Sequence, residues 1–519
     1  MYSKILTGSI VGIDAETVTV ETDISSGLPN MTVVGLPDIS VREARERIRS
    51  ALRNAGYRFP SKRITVNLSP ADSRKEGTHF DLPIAIGIMV ASGYISAEQA
   101  AEYAFIGELS LDGKVNAVQG AIALAIGLRN RGVRKLILPA GNKQEVSILK
   151  DMQIYPVAHI SDVEAHLSGF GSVIPYKGRP RKSFAGKENS AEDFADVAGQ
   201  ESVKRALQVA AAAAHNILMV GPPGAGKTMM ANRLPGILPA MTYEECLEVT
   251  RIYSLAGQLP PEGGLVTQRP FRSPHHTISP TALAGGGLKP RPGEVSLAHF
   301  GVLFLDEFPE FCRKALEVLR QPLEDEKITI ARASATVTYP AKIMLVAAMN
   351  PCPCGNLGHP TRKCTCSEHQ IMQYRTKISG PLADRIDMHI EIFPVPYEEL
   401  IDRDGKKGKR MDSMQMRKAV ESARSIQIDR YRKEKISYNS QLTPSLIQKY
   451  CPLDRESEEL LKMAFETYSL TARSGLKIIK LARTIADLGR EEKISAAHVA
   501  EAISYNRFYA VNSGEKNHG

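Results

Sequence analysis

An eight-residue segment of the chain has the composition and spacing of a loop that holds phosphate groups. It fits the pattern G-x-x-x-x-G-K-[ST], and its members are Gly221, Pro222, Pro223, Gly224, Ala225, Gly226, Lys227 and Thr228. Glycine lets the backbone turn tightly enough for its N–H groups to surround phosphate oxygens. The lysine would place its charge on the β- and γ-phosphates, and the threonine hydroxyl would reach Mg²⁺. The segment therefore predicts a binding site for ATP and Mg²⁺.

The elements on either side of this segment support the same chemistry. An apolar stretch at 216–220 predicts a strand before it, and 228–234 predicts a helix after it, whose N-terminus favours anions. A second apolar stretch, at 301–305, predicts a buried strand that ends in Asp306 and Glu307. We assign Asp306 to the metal ion and Glu307 to activation of the attacking water. An Asp-Glu pair after a strand can also be a surface turn, but the upstream phosphate loop favours ATP hydrolysis.

The periodicity of the whole chain predicts an α/β multidomain protein of 519 residues. Residues 1–170 alternate short strands with amphipathic helices, including one at 42–55, and form an α/β domain. A basic linker rich in Gly, Pro and Ser follows at 171–193. Residues 194–396 alternate strands and helices around the phosphate loop, which predicts a parallel sheet. Residues 397–519 have helical periodicity without strand candidates, which predicts a helical lid.

Composition limits the class of protein and of partner. Lys and Arg outnumber Asp and Glu by 66 to 57, a formal charge of +9, which is a modest bias toward polyanions. Much of the excess lies at 177–187 and 403–410, and these two runs can equally be solvated linkers. The N-terminus lacks the pattern of a signal peptide, and no apolar run is long enough for a membrane span. We therefore expect a cytoplasmic protein without a membrane partner.

Four of the seven cysteines cluster in two pairs. The pairs are Cys352 with Cys354 and Cys364 with Cys366, and the nine residues between them include Gly and Pro. Such clustering indicates metal binding or packing and not a disulfide framework. The pairs could close a tetrahedral Cys₄ site for structural Zn²⁺, although each has one intervening residue where zinc sites usually have two to four. Free or redox-sensitive thiols are the alternative.

A longer set of motifs carries a resemblance to a known family. It begins at Arg269 with the string RPFRSPHHTIS and continues with the glycines of 285–287, the segment PGEVSLAH at 292–299 and the Asp306-Glu307 pair. With the phosphate loop, these motifs resemble the AAA+ ATPases and, within them, the ComM/YifB-type magnesium-chelatase-like group. The resemblance covers nearly all of the chain. It implies an ATPase that assembles as a homo-oligomeric ring, a hexamer, with an AAA+ core and a helical lid.

The resemblance also implies roles for four further residues. Asn350, at the end of an apolar stretch, resembles the polar sensor that orients the lytic water. Arg385 resembles the arginine finger that reaches the ATP of the neighbouring subunit, and Arg473 resembles the second sensor on the helical lid. A hairpin predicted at 327–339 resembles the pore hairpin of related helicase rings, so Arg332 is the candidate contact to DNA phosphate. Each arginine can also be an ordinary surface residue.

The N-terminal domain resembles the Lon protease fold, which raises a rival function. The resemblance places His79 where the catalytic serine of that family belongs and Ile122 where its catalytic lysine belongs. Isoleucine cannot accept a proton, so no nucleophile would be activated there. Ser69 and Lys75 lie nearby in the sequence but not at the expected positions. We expect a protease fold without protease activity that serves assembly or substrate contact.

The resemblance leaves three functions in competition. The first is a ring ATPase that moves on DNA and promotes branch migration, with helicase activity, in recombination during DNA uptake or repair. The second is a chelatase-type motor that remodels a protein partner, because the ATPase core resembles both kinds of protein. The third is an ATP-dependent protease, against which the substituted positions in the N-terminal domain argue. We favour the first.

Overall fold

The computed structural model describes residues 1–178, 192–260, 264–287, 290–331, 336–395, 411–468 and 470–506. These residues form two compact units. The first unit consists of the described residues of Met1–Phe184, Thr242–Val266 and Ala331–Tyr339. The second unit consists of the described residues of Ala185–Met241, Thr267–Ile330 and Pro340–Gly519. The N-terminal part of the chain thus shares its unit with two short segments from the middle of the sequence.

A seven-stranded sheet organises the first unit. The strands in this part of the chain are β1 (Tyr2–Val11), β2 (Asp14–Ser25), β3 (Asn30–Val34), β4 (Arg63–Ser69), β5 (Ala104–Phe105), β6 (Glu108–Leu109), β7 (Val115–Asn116), β8 (Lys135–Pro139) and β9 (Gln153–Val157). The sheet has the order β3-β4-β2-β1-β5-β8-β9, and β6 and β7 form a separate pair. Strand β2 runs antiparallel to β1 and β4, and the other neighbours are parallel.

The longest helix of the first unit runs from Ile39 to Asn54 and connects β3 to its parallel neighbour β4. Asp38 begins it, because its carboxylate accepts a hydrogen bond from the backbone N–H of Val41. Apolar residues three or four positions apart bury one face. The other helices of this unit are Asp81–Ala91, Ala97–Ala101, Ala121–Asn130, Lys143–Val146, Ile160–Leu167 and Tyr243–Ala256, with short 3-10 helices at Thr78–Phe80 and Ala140–Asn142.

A five-stranded parallel sheet forms the centre of the second unit. The strands after residue 192 are β10 (Ile217–Val220), β11 (Phe271–Arg272), β12 (Gly285–Gly286), β13 (Arg291–Pro292), β14 (Val302–Leu305), β15 (Lys327–Ala331), β16 (Thr336–Pro340), β17 (Met344–Met349) and β18 (Met388–Glu391). The sheet has the order β11-β14-β17-β10-β18. Strands β10, β14 and β17 are buried throughout, which explains their continuous apolar sequences. Ligands of open parallel sheets bind at the carboxyl ends of the strands.

Helices flank the second sheet and make up the C-terminal part of the chain. The helices before residue 396 are Glu201–Ala213, Lys227–Ile237, Pro280–Ala284, Glu294–Leu297, Arg313–Val318, Pro322–Asp325, Glu368–Arg375 and Gly380–Ala383, with 3-10 helices at Phe194–Asp196 and Phe308–Glu310. The C-terminal helices are Ser413–Arg430, Pro444–Tyr450, Arg455–Tyr468, Ala472–Leu488 and Ala496–Ser504, with a 3-10 helix at Asn439–Gln441. One hydrophobic core joins Met219 of β10 and Val346 of β17 to Val420 and Leu481 of these helices.

A buried ionic network holds the C-terminal helices to each other. The carboxylate of Asp487 is fully buried and accepts hydrogen bonds from Arg430 Nη1 at 2.9 Å and Arg483 Nε at 3.1 Å. Asn439 Nδ2 donates to the same carboxylate at 2.9 Å. Because a buried charge is costly unless it is paired and hydrogen-bonded, each member of the network depends on the others.

The structure confirms the predicted α/β multidomain class. The helix predicted at 42–55 spans Ile39–Asn54, and the described residues after 411 contain helices and no strand. The hairpin predicted at 327–339 is present as β15 and β16, but Arg332 lies outside the described residues. Most of the two basic runs also lies outside them, and the predicted domain boundaries remain predictions. Within the described ranges, no helix combines the length and apolarity that a bilayer crossing requires.

Candidate active site

The phosphate loop lies between β10 and the helix Lys227–Ile237, at the carboxyl edge of the parallel sheet. Gly224 and Gly226 adopt left-handed backbone conformations, with φ of 80° and 88°. A Cβ atom on Gly221 would lie 2.4 Å from the carbonyl oxygen of Ile392, so this position also excludes a side chain. The three glycines are therefore required by the loop's geometry. The loop brings its backbone N–H groups next to the N-terminus of the helix, as an anion-binding site requires.

Lys227 is buried within the loop and is only 8% exposed. Its Nζ donates hydrogen bonds to the carbonyl oxygens of Gly221 at 2.6 Å and Pro222 at 3.0 Å, and to Asn350 Oδ1 at 3.1 Å. Burial lowers the pKa of Lys227, whereas the charges of Asp306 and Glu307 act in the opposite direction. The contact with Asn350 joins the end of β17 to the phosphate loop, because neighbouring parallel strands end at the same edge.

Asp306 connects the end of β14 to the phosphate loop. Its Oδ2 accepts a hydrogen bond from Thr228 Oγ1 at 2.7 Å, and its Oδ1 accepts one from the backbone N–H of Glu307 at 2.8 Å. A hydroxyl and a carboxylate in contact beside a phosphate loop are the ligands that a magnesium–nucleotide site supplies. Glu307 itself has a left-handed backbone, with φ of 51°, which turns the chain sharply after Asp306. The sequence predictions for Lys227, Thr228 and Asp306 thus fall on one contiguous cluster.

Glu307 has a partner that could not be predicted from the sequence. The Oε2 atom of Glu307 lies 2.9 Å from Nδ1 of His276. His276 belongs to the loop after β11, and its ring stacks on that of His275 with centroids 4.1 Å apart. Both histidines lie in the motif that carried the family resemblance. No local signal relates position 276 to position 307, because only the parallel pairing of β11 with β14 brings the two loops together.

The four clustered cysteines converge after β17. Their sulfur atoms all lie within 4.8 Å of one another. The distances from Cys352 Sγ to Cys354 Sγ and Cys364 Sγ are 3.5 Å and 3.7 Å, and Cys354 and Cys364 are 3.6 Å apart. Cys366 Sγ accepts a hydrogen bond from the backbone N–H of Cys354 at 3.4 Å. A tetrahedron with Zn–S bonds of 2.3 Å has edges of about 3.8 Å, so the sulfur spacing fits a zinc site.

The cysteine loop also touches the phosphate loop. Gly355 has a left-handed backbone, and a Cβ atom there would lie 2.6 Å from Cδ of Pro223. The backbone N–H groups of Thr365 and Asn356 lower the pKa of Cys354 to about 5, which favours the thiolate form that metals bind. The cluster begins two residues after Asn350. Pro223 and Asn350 therefore both depend on the position of this loop.

Arg385 and Arg473 meet at one carboxylate. Arg385 Nη2 forms a short ion pair with Glu324, and its Nη1 donates to the carbonyl oxygen of Pro381 at 2.7 Å. Arg473 Nη2 lies 3.8 Å from the same Glu324 side chain. The ion pairs of both arginines thus involve a residue outside the phosphate-loop cluster. Lys477, on the same helix as Arg473, donates to the carbonyl oxygen of Ile386 at 2.7 Å, which ties this helix to the segment that carries Arg385.

The residues of the rival protease interpretation are buried in the first unit. His79 is buried, its Nε2 lies 2.9 Å from the carbonyl oxygen of Gly8, and burial lowers its pKa to about 4. Ile122 is also buried. Lys75 donates to the carbonyl oxygen of Ser73 at 2.7 Å and to its hydroxyl at 3.2 Å. The Lys75 amine is therefore directed at oxygens of its own loop.

Comparison with protein families gives matches along most of the chain. Three family models match: "Magnesium chelatase, subunit ChlI" over residues 193–400, "Subunit ChlI of Mg-chelatase" over 20–142, and "Magnesium chelatase, subunit ChlI C-terminal" over 410–506. The phosphate loop, Asp306, Glu307 and the cysteine cluster all lie within the first of these matches.

Individual proteins give matches of two kinds. The chain is 42% identical to YifB of Salmonella typhimurium over 499 residues, which cover 96% of each chain. It is 44% identical to the competence protein ComM of Haemophilus influenzae over 499 residues, which cover 95% of each chain. A more distant match, 25% identical over 184 residues, is the DNA helicase MCM8 of Gallus gallus, with 36% of this chain and 18% of the helicase covered.

Proposed function

The chain belongs to the magnesium-chelatase-like family that includes YifB and ComM, and from this premise we propose that it is an ATP-hydrolysing AAA+ motor that acts on DNA as a hexameric ring. The observation that carries the proposal is the cluster at the carboxyl edge of the parallel sheet, where Lys227 contacts Asn350 and Thr228 contacts Asp306. In this proposal the motor promotes branch migration of recombination intermediates and has helicase activity.

ATP and Mg²⁺ fit the residues of this cluster. Lys227 and the loop N–H groups would hold the β- and γ-phosphates, and Thr228 and Asp306 would hold Mg²⁺. When bound, the ion would neutralise charge on the phosphate oxygens. Glu307 would orient the attacking water and accept its proton, and Asn350 would fix the position of that water relative to the terminal phosphate. These assignments require Lys227 to exchange the carbonyl oxygens of Gly221 and Pro222 for phosphate oxygens.

The two arginines that meet at Glu324 would serve the assembled ring. We assign Arg385 to the ATP of the neighbouring subunit and Arg473 to the ATP of its own subunit. Stabilisation of a phosphoryl-transfer transition state by an arginine supplied in trans makes hydrolysis depend on assembly. Each arginine must then leave Glu324 to act. The carboxylate would hold both side chains in place until the ring forms or nucleotide binds.

DNA as the substrate is supported by the names of the relatives and by the hairpin. One relative is a competence protein and a distant one is a DNA helicase. The β15–β16 hairpin occupies the same position in the sequence as the pore hairpin of related helicase rings. Arg332, our proposed phosphate contact, lies between these two strands in the sequence and outside the described residues.

The proposal is tested by steady-state ATPase measurements on the full chain. The assay compares no DNA, single-stranded DNA, duplex DNA and a four-way junction at several salt concentrations. We expect stimulation by DNA that fades as salt rises, with the largest effect for the junction. ATP turnover that is indifferent to every DNA would refute DNA as the substrate. Junction unwinding by the wild type, but not by a Glu307→Gln variant, would connect the hydrolysis to strand movement.

A protein-remodelling motor is the second function to consider. The observation in its favour is that all three family models describe a subunit of magnesium chelatase. The same ATPase assay separates the two functions, because a remodelling motor would respond to a protein partner and not to DNA. An ATP-dependent protease finds no support, because Lys75 is occupied as a donor and His79 is buried.

We also propose that the cysteine cluster holds a structural Zn²⁺ ion. The sulfur spacing supports this, because it is close to that of a zinc tetrahedron and far from the 2.05 Å of a disulfide. The ion would fix the loop that touches Pro223 and follows Asn350. Metal analysis of freshly purified protein should give one zinc per chain, and a Cys354→Ser variant should give none. Cys312→Ser is the matched control, since Cys312 is exposed and outside the cluster. Substoichiometric zinc in the wild type would overturn this proposal.

A further inference from the structure

One side of the helix Ile39–Asn54 carries a row of arginines. We call it the basic strip, and its members are Arg42, Arg45, Arg49 and Arg53. Their spacing of three, four and four residues places all four side chains on one side of the helix. At a rise of 1.5 Å per residue, the strip is about 16 Å long. The face that packs against the unit lies at other positions, which include Val41, Ala44, Ile48, Ala51 and Leu52.

The strip has little internal compensation of its charge. Within the described part of the chain, no acidic side chain forms an ion pair with Arg42, Arg49 or Arg53. Arg45 forms an ion pair with its neighbour Glu46 at 3.1 Å, and both side chains are exposed, so this pair contributes little. The Nε atom of Arg49 is buried without a hydrogen-bond partner, which costs free energy unless a ligand satisfies it. Among the residues that the structure describes, three of the four guanidinium groups therefore have no acidic partner.

Arg47, on the same helix, has a structural role and serves as a comparison for the basic strip. It faces the core and binds the fully buried carboxylate of Asp81 through two hydrogen bonds, at 2.8 Å and 2.9 Å. The charge of Arg47 is thus neutralised inside the unit by a bidentate ion pair. Among the described residues, Arg42, Arg49 and Arg53 form no bidentate pair of this kind.

Basic residues continue beyond the helix. Asn30, the first residue of β3, accepts a hydrogen bond from Arg45 Nη1 at 3.4 Å and lies in register with Arg63, the first residue of β4. Arg63 therefore lies beside the strip. Between residues 39 and 63 the sequence has eight Arg and Lys but only two Glu, a net charge of +6 in a chain whose total is +9. Residues 39–63 are therefore a strongly basic segment of the first unit.

We propose that the basic strip binds the phosphate backbone of DNA and gives the first unit a DNA-binding surface of its own. This inference rests on the proposed function for the identity of the polyanion. Guanidinium groups match phosphate geometry with two parallel hydrogen bonds, and they repeat here every 5–6 Å or so along a straight element. A row of this kind follows a linear chain of phosphates better than it fits one small anion. The contacts carry no base specificity, so the strip positions DNA of any sequence.

The test measures DNA binding by the full-length protein, using fluorescence anisotropy with labelled single-stranded, duplex and four-way-junction DNA and a non-hydrolysable ATP analogue. The strip variant changes three arginines to glutamine, a good helix former: Arg42→Gln, Arg49→Gln and Arg53→Gln. A charge-conserving variant changes the same positions to lysine. The matched control removes the same charge from another surface of the first unit: Arg129→Gln, Arg131→Gln and Arg134→Gln. Thermal unfolding of each variant verifies that the unit remains folded.

We expect the glutamine variant to bind DNA about tenfold or more weakly at low salt. Loss of three phosphate contacts should also reduce the slope of log affinity against log salt by about 2–3. The lysine variant should keep most of that slope, and the control variant should match the wild type. Equal affinity and slope in the glutamine variant and the wild type would overturn the inference while leaving the motor function intact. Strip-dependent DNA binding without any DNA-stimulated ATPase would support the inference and refute the motor. Absence of DNA binding by the wild type would overturn both.

Discussion

Replacement of His276 by alanine should raise the basal ATPase rate. The imidazole contacts the Glu307 carboxylate at 2.9 Å and therefore occupies an oxygen that would otherwise be open to water. We have assigned proton acceptance from the attacking water to Glu307. Its release from His276 should therefore increase the fraction of subunits in which the carboxylate is free to act.

The size of this effect follows from the exposure of the two side chains. A hydrogen bond to a charged group contributes about 1.5–3 kcal/mol when it is well shielded from water. Here the histidine is 30% exposed and the glutamate 57% exposed, so solvent screening reduces the contribution to about 0.5–1 kcal/mol. Since 1.36 kcal/mol corresponds to a tenfold change, we expect a rate increase of about two- to fivefold.

The assay is steady-state ATP turnover at saturating ATP, with and without DNA. His275→Ala is the control, because its ring stacks on His276 and its Nδ1 bonds to Thr277 Oγ1, but it does not contact Glu307. We expect His275→Ala to keep the wild-type basal rate. A basal rate that falls in His276→Ala would refute the reasoning and indicate instead that the histidine holds Glu307 in its productive position.

Four further predictions concern other parts of the molecule. Lys227→Ala should lose ATP binding by equilibrium titration, whereas Glu307→Gln should bind ATP and lose turnover. Arg385→Ala should bind ATP but hydrolyse it slowly, and mixing it with Glu307→Gln subunits should restore activity if the arginine acts in trans. Asp487→Ala should reduce the free energy of unfolding by about 3–5 kcal/mol in denaturant titrations, because the buried guanidinium group of Arg483 and the half-buried one of Arg430 lose their carboxylate partner. Burial lowers the pKa of His79 from 6.5 to about 4, so the neutral ring contributes stability that is complete above pH 6.5 and is lost as pH falls toward 4. This loss amounts to about 3 kcal/mol at 1.36 kcal/mol per unit, and thermal unfolding of His79→Gln should depend less on pH over that window.

The geometry of the phosphate-loop cluster could be predicted from the sequence because local patterns determine it. The phosphate loop needs glycines at fixed positions, and Asp306 needs only a buried strand before it. The helix Lys227–Ile237 and strand β14 begin within one residue of their predicted positions. Neighbouring parallel strands then bring the ends of β10, β14 and β17 to one edge, so three distant sequence motifs become one cluster.

Features that depend on loops and on the surroundings could not be predicted in this way. The contact between His276 and Glu307 joins two loops whose paths are set by tertiary packing. The row of arginines at 42–53 is visible in the sequence, but whether acidic side chains neutralise it depends on which residues the fold places around the helix. Likewise, cysteine spacing left zinc and free thiols open, and only the converging paths of 352–354 and 364–366 bring four sulfur atoms within reach of one ion.

The contact of Glu324 with two arginines bears on the cooperativity of ATP hydrolysis in the proposed ring. One carboxylate restrains both Arg385 and Arg473, and the bond from Lys477 to Ile386 links the two segments that carry them. With the roles proposed above, Arg385 acts on the ATP of the neighbouring subunit and Arg473 acts on the ATP of its own subunit. A subunit could then not release one of these arginines while Glu324 still held the other. The two would be released in a single event. Each subunit would then behave as an all-or-none element, and the ring would respond to ATP concentration with a steeper curve than six independent sites would give.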